Sequence, residues 1–440
     1  MTKALLPHRV FHLPIWAPMA AIFILLFCIM EAHAERIFFA GYKGGFYIRS
    51  EEEGGMELLL GGAFQTDYRY YLQEERADNR FDIRRARLRF RGQLTEYFRF
   101  GLEFEFQGNE TDNLVDAYAE AVFNPSALRF GQFKEPYSLE WQSPDKAQFF
   151  AERSMGYYLG PVRDVGIMLH GSLFKDTVNY AAGLFNGDGD DGSASGAEED
   201  DPEAAVRIVI SPFKNSMLPW LKGFQFGASA AYAQIDPLNL SLHVKSTGMV
   251  GTDTNLYVLT HNTKFGVIQD VGSRQRFGIE AAWAVGPLLF QGEYFGLKYT
   301  DLESAGDNPS EAEFSSWYAS LAWCLTGESP ILSRGIVQPL YPRHFFNPGE
   351  GTWGTFCLAL RVEQFNGDEN WITPASYVSV KKADAYSLAL NWVIYPMARV
   401  VLDYTHTDLS DPIRVRVLPD GSTDYIEAED SFTFRFSIDF

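Results

Sequence analysis

Residues 81–106 read FDIRRARLRFRGQLTEYFRFGLEFEF, and two alternations meet in them at Thr95-Glu96-Tyr97. From Phe98 onward the even positions are Phe98, Phe100, Leu102, Phe104 and Phe106, and the odd ones are Arg99, Gly101, Glu103 and Glu105. Successive side chains of an extended strand point to opposite faces. One face is therefore apolar and aromatic, and the other is small or charged. Before the break, Ala86, Leu88 and Phe90 alternate with Arg85, Arg87, Arg89 and Arg91. The whole stretch reads as two strands around a tight turn.

The same period runs outward to both ends of the chain. The last segment sets Phe432, Phe434, Phe436, Ile438 and Phe440 against Thr433, Arg435, Ser437 and Asp439. Sixteen candidate strands follow: 57–71, 81–94, 98–107, 115–123, 128–134, 165–173, 178–185, 204–213, 223–233, 274–284, 288–298, 313–325, 353–363, 384–395, 398–407 and 430–440. Most suit a tilted membrane strand, which needs ~9–11 residues. Short links (95–97, 124–127, 174–177, 285–287, 396–397) alternate with long ones (108–114, 135–164, 186–203, 234–273, 299–312, 364–383, 408–429). Short periplasmic turns against long external loops, with an even strand count, define an all-β transmembrane antiparallel barrel. Segment 326–352 breaks this rhythm, being a long link where a short turn belongs. A soluble sandwich also alternates, with its apolar face inward. The long loops and the terminal aromatic Phe440 argue for the barrel.

Residues 1–34 read as a secretory signal peptide: Lys3 and Arg9, then the apolar run Ile22–Met30, then Ala32-His33-Ala34. The rival is a membrane anchor, for which the run is short. A periplasmic N-terminal segment, 35–56, would then precede the barrel at 57–440. Aromatic residues form 15% of the 440, which excludes a disordered chain, and a net charge of −20 excludes a general nucleic-acid binder. Three cysteines cannot make a disulfide scaffold. Cys324 and Cys357 fall near the periplasmic ends of consecutive strands, and the sequence leaves a disulfide and two free thiols equally open.

In a barrel this large, the face turned from lipid lines an aqueous lumen. Arg85, Arg87, Arg89 and Arg91 then form a row at ~6.6 Å spacing along the strand, with Arg80 and Arg84 at its entry. Guanidiniums stay charged and fit oxyanions, so the row lowers the barrier to anions. The alternative is a balanced wall, in which Glu103, Glu105, Asp116 and Glu120 neutralise it.

These stretches resemble the phosphate-selective porin O and P family. The resemblance rests on Phe81–Leu88, Asp116-Ala117-Tyr118, Phe130–Lys134, Glu152-Arg153-Ser154, Arg163–Gly166, Leu325–Glu328, Trp353-Gly354 and Ala383–Trp392. It implies a sixteen-stranded homotrimeric porin of the bacterial outer membrane that passes small solutes passively. It also implies constriction by 135–164, 234–273 and 326–352. Its anion site would draw on Arg84, Arg85, Asp116, Lys134 and Arg153, with Lys146 and Arg163 as looser candidates, alongside the row Arg87, Arg89, Arg91. Small anions, phosphate among them, are the expected solutes. Outer-membrane lipid and lipopolysaccharide are the expected surroundings, with no nucleic acid and no cofactor. Loop 234–273 departs from the family in lacking a dense arginine run. The alternatives are a porin of the same fold for other solutes, or a structural or adhesive barrel without transport.

No catalytic or metal motif appears. Asn186, Asp188 and Asp190 mimic the start of an EF-hand, but the loop has Asp191 where glycine is needed and Ala197 where the bidentate glutamate belongs. The acidic segment 186–203 reads as a solvated loop. His406 lies between Thr405 and Thr407, which face the other way on a strand, so it is not read as part of a triad.

Overall fold

The computed structural model describes residues 37–42, 44–52, 54–73, 76–107, 114–187, 202–304, 306, 309–372, 379–417 and 423–440. The leader 1–34 and most of the acidic loop 186–203 lie outside the described residues.

Sixteen antiparallel strands close on themselves. They are β1 (Glu57–Tyr71), β2 (Arg80–Thr95), β3 (Phe98–Glu105), β4 (Leu114–Phe123), β5 (Ser126–Lys134), β6 (Arg163–Leu173), β7 (Val178–Phe185) and β8 (Glu203–Ile210). Then come β9 (Phe224–Ala233), β10 (Ser273–Val285), β11 (Leu288–Thr300), β12 (Ala312–Cys324), β13 (Thr355–Asn366), β14 (Lys382–Tyr395), β15 (Ala398–Val417) and β16 (Thr423–Asp439). β16 pairs with β1 from Ser431↔Tyr71 to Asp439↔Ala63, so the sheet has no open barrel edge. Closure is what lets strands stand in lipid, since every backbone group then finds a partner. The alternation sorts the side chains as the sequence predicts. Phe81, Phe98, Phe130, Leu184, Ile208, Phe277, Leu360, Tyr386 and Phe434 are exposed on the outside. Most of their inward neighbours are charged, polar or small, such as Arg129, Gly183, Arg207, Arg276 and Arg435, while Phe185 and Val209 are buried inside.

Two features go beyond the expected pattern. β15 and β16 run on to Val417 and back from Thr423, because the ladder resumes at Ile413↔Ile426 after an irregularity. The segment 35–56, expected as a periplasmic N-terminal segment, contains a hairpin, Phe38–Tyr42 with Phe46–Ser50. Its second strand pairs with the lower end of β1, Phe46↔Leu60 to Arg49↔Glu57, continuing the edge that β16 leaves. The Phe440 backbone bonds Gly62 in both directions. Side chains at Gly61 and Gly62 would collide with Phe440, at 2.7 Å in each case, so the paired glycines make room for the last residue.

The lumen is not an open cylinder. Inward positions of β10 to β15 include Ala282, Ala322, Ala359 and Ala389. Their small side chains let the segment between β5 and β6 lie flat on that half of the wall, where Leu139, Ala147 and Phe150 pack against them. Wall carboxylates hold its backbone: Glu293 accepts from Leu139 and Glu140, Asp403 from Ala151, and Glu363 from Met155, each at 2.7 Å. The link after β9 folds in above it, with Ser246 donating to Glu429 at 2.5 Å and Thr247 to Glu363 at 2.6 Å. From the other end, the long link after β12 inserts a small turn, Leu332–Ser333 with Ile336–Val337. The Gly335 carbonyl accepts from Arg207, and Val337 N–H donates to Ser143. All three segments expected to constrict the lumen enter it. Cys324 and Cys357, opposite each other on β12 and β13, form a disulfide.

Candidate pore and its charged wall

Because the inserted segments crowd onto β9–β15, the free space lies along β1–β6. It is a cavity of about 900 Å³. All eight sequence-predicted site residues line it: Arg84, Arg85, Arg87, Arg89, Arg91, Asp116, Lys134 and Arg153. So do the looser candidates Lys146 and Arg163.

Alternation alone would turn Arg84 and Arg85 to opposite faces. The β1–β2 register slips between Gln65↔Arg85 and Thr66↔Ile83, a bulge that leaves Arg84 as the extra residue. Bulges re-aim side chains in this way. Both guanidiniums therefore reach the lumen, while Phe81 and Ile83 stay outside. The row runs down β2 from Arg84 at the long-loop end to Arg91 near the short turns.

The ion pairs grade along the row. At the top, Glu152 of the inserted loop binds Arg84 at 2.8 Å, Arg69 at 2.5 Å and Arg435 at 2.6 Å. Asp67 also holds Arg69 and Arg435, each at 2.7 Å. Glu152 thus ties the loop across the β16–β1–β2 seam. In the middle, Asp145 reaches Arg85 and Arg87 at 3.2 Å and Arg153 at 2.6 Å. Glu105 pairs with Arg87 at 2.7 Å and Glu103 with Arg89 at 2.8 Å, as the β2–β3 register requires. At the bottom, among the described residues, Arg91 and Lys146 line the cavity without an ion-pair partner.

Burial alone would raise the Glu152 carboxyl, but Arg84, Arg435 and Arg69 outweigh it and hold it well below the usual carboxylate range. Burial likewise opposes ionisation of Asp145, and Arg85, Arg153, Arg87 and Lys134 push it well down. Both acids are therefore charged at neutral pH.

A second cluster sits across β4–β6. Asp116 accepts from Arg163 at 2.9 Å. Lys134 Nζ donates to the Trp141 carbonyl at 2.6 Å and lies 4.5 Å from its ring. Arg153 and Arg163 lie 5.0 and 5.1 Å from the same ring.

The expected alternatives, ladder or balanced wall, are both partly present. Seven arginines (69, 84, 85, 87, 89, 153, 435) share five carboxylates (Asp67, Glu103, Glu105, Asp145, Glu152), so sharing leaves a surplus. The cavity as a whole is lined by eleven basic and five acidic side chains. Its sign is opposite to the chain's net −20. Sequence reasoning missed Asp67, Arg69, Asp145, Arg435 and the part played by Glu152. Arg435 and Asp67 were recoverable from inward parity once the last strand is paired with the first. Asp145 and Glu152 lie on a loop, where no period reveals direction.

His406 is held by Asp430 at 2.8 Å and Asp408 at 3.0 Å on the outward face, away from Thr405 and Thr407. Among the described residues, no group of three or more His, Cys, Asp or Glu is arranged to hold a metal ion.

A family model described as phosphate-selective porin O and P matches residues 59–434. Porin O of Pseudomonas aeruginosa is 24% identical over 396 residues, covering 82% of this chain and 85% of that protein. Among solved structures, the outer membrane channel DcaP of Acinetobacter baumannii superposes with a TM-score of 0.53 at 11% identity. That match covers 91% of this chain and 100% of DcaP. Outer-membrane OmpT of Vibrio cholerae gives 0.52 at 10% identity, covering 88% of this chain and 99% of the other. With its closed barrel in the outer membrane and its partly filled lumen, the chain belongs to the phosphate-selective porin O and P family.

Proposed function

We propose that this porin is an anion-selective channel, with phosphate and related oxyanions as its preferred solutes. The observation that carries this is the cationic surplus of the cavity, eleven basic against five acidic lining side chains. Guanidiniums bind oxyanions through paired N–H groups, and a positive lining concentrates anions while excluding cations. Arg84, Arg85, Arg87, Arg89, Arg91, Lys134 and Arg153 form the cationic path, and Asp116 orients Arg163 beside it. No residue is assigned a catalytic role; transport is passive. The loops that fill half the lumen favour a selective channel over a wide general-diffusion pore. Three copies are the proposed assembly, supported by the trimer form of the Vibrio cholerae OmpT relative, whose barrel matches with a TM-score of 0.50 at 11% identity and covers 88% of this chain and 100% of that one. The proposed export route removes residues 1–34, so N-terminal sequencing of the membrane form should begin at Glu35. The deciding measurement for selectivity is the reversal potential of single channels in a salt gradient. A cation-selective potential overturns the anion reading and leaves the porin fold untouched.

A further inference from the structure

The geometry points to a ring-binding wall inside the same lumen, which would admit organic anions that carry an aromatic group. This rests on the anion reading and extends it to a class of solute.

Facing the arginine row, the inserted loop presents Trp141, Tyr157 and Tyr158, all lining the cavity. Their rings form a continuous series. Trp141 and Tyr157 are 5.1 Å apart between centroids, and Tyr157 and Tyr158 are 5.4 Å apart, edge to face. Tyr157 and Tyr158 are each only half-buried, so ring surface meets the aqueous space. Cations border the series: Arg153 stands 5.8 Å from the Tyr157 ring and 5.0 Å from Trp141. Aromatic surface and positive charge are thus presented side by side. A solute with a planar ring and an anionic tail can satisfy both at once, ring against ring and oxyanion against guanidinium.

Size permits it. A water's share of liquid volume is about 30 Å³, and the cavity of about 900 Å³ holds many such volumes. An inorganic oxyanion leaves the tyrosine surface wet. An aryl phosphate or aryl carboxylate removes that surface from water together with its own. The bland reading is that the rings serve only to hold Lys134, Arg153 and Arg163 by their cation–π contacts. It predicts no preference among anions of equal charge.

The test uses the full-length channel in planar bilayers, with chloride current blocked by inorganic phosphate, methyl phosphate or phenyl phosphate. Phenyl phosphate should reach half-block at about tenfold lower concentration than methyl phosphate, the scale of one well-placed aromatic pair plus its buried area. Cyclohexyl phosphate, of similar size without a π face, should fall between them. In Tyr157→Ala/Tyr158→Ala the phenyl preference should vanish, while block by inorganic phosphate shifts less than twofold. Should that double variant not assemble, Tyr157→Phe/Tyr158→Phe keeps the rings and should keep the preference. Equal block by phenyl and methyl phosphate in the wild type overturns the ring-binding wall. So does a preference that persists without the tyrosines. A channel that none of the three blocks, and that reverses at the cation potential, overturns the anion reading itself.

Discussion

Arg91→Gln should reduce anion selectivity without disturbing the barrel. Among the described residues, no carboxylate pairs with Arg91 in the cavity lining, so removing its charge strands no partner there. The same change at Arg85 or Arg87 would remove one of the three arginines that hold Asp145 on the loop. Treated as a sphere, a cavity of about 900 Å³ puts a central ion ~6 Å from a lining charge, where attraction is ~1.4 kcal/mol at an effective dielectric of ~40. Screening over a Debye length of ~10 Å in ~0.1 M salt reduces this to ~0.8 kcal/mol. Anions lose that stabilisation and cations lose an equal repulsion, so the anion-to-cation permeability ratio should fall roughly tenfold. At ~1 M salt the Debye length is ~3 Å, and the drop should shrink to about twofold. Reversal potentials across a salt gradient, at both ionic strengths, give the ratio directly. If Arg91→Gln channels conduct with an unchanged reversal potential at the lower ionic strength, the cationic surplus does not face the ions and the reasoning fails.

Glu152→Gln should loosen the inserted loop, because Arg84 would lose its charged partner and Arg69 and Arg435 would keep only Asp67; breaking such a buried cluster costs about 3 kcal/mol or more, read as current flicker at every pH. The wild-type carboxyl lies well below the usual range, so its tie is complete at neutral pH and is lost only as pH falls through that depressed value; traces at pH 7 and pH 5 should match. Reducing the Cys324–Cys357 bridge, which closes a separation of 33 residues, should lower the thermal unfolding temperature through a loss of up to about 4 kcal/mol, while leaving conductance unchanged. Deleting Phe440, or blocking its seat with Gly62→Leu, should cut the yield of heat-modifiable barrel in the outer membrane; normal yield from both variants would sink the terminal seam as an assembly element.

The barrel was legible because lipid imposes one rule on every strand, apolar outward at every second residue, and Phe98–Phe106 obeys it without exception. The arginine row was legible by the same parity. What the row would meet was not. Alternation separates inside from outside but says nothing of what occupies the inside. Asp145 and Glu152 sit on a loop whose path depends on alanines four to nine strands away, at Ala282, Ala322, Ala359 and Ala389. The bulge that turns Arg84 inward has no signal in a run of arginines, where either register keeps the pattern. The N-terminal hairpin was missed because Phe38–Tyr42 is too short to read as a membrane strand, and it gains its partner only from the lower end of β1.

The grading of ion pairs down β2 divides the row into two kinds of residue. Arg84, Arg85 and Arg87 are bound to the loop carboxylates Glu152 and Asp145, so their charge both attracts ions and fixes the loop. Among the described residues, Arg91 and Lys146 pair with no carboxylate, so their charge acts on whatever passes. Buried pairs add little net charge and tolerate the loss of one member badly, whereas a lone cation in an aqueous lumen is lost at small structural cost. Substitutions near the long-loop end should therefore appear as gating and assembly defects, and those near the short turns as changes in selectivity. A scan that neutralises each arginine in turn separates the two. Selectivity should depend more strongly on Arg91 than on Arg84, although both belong to one strand and one face.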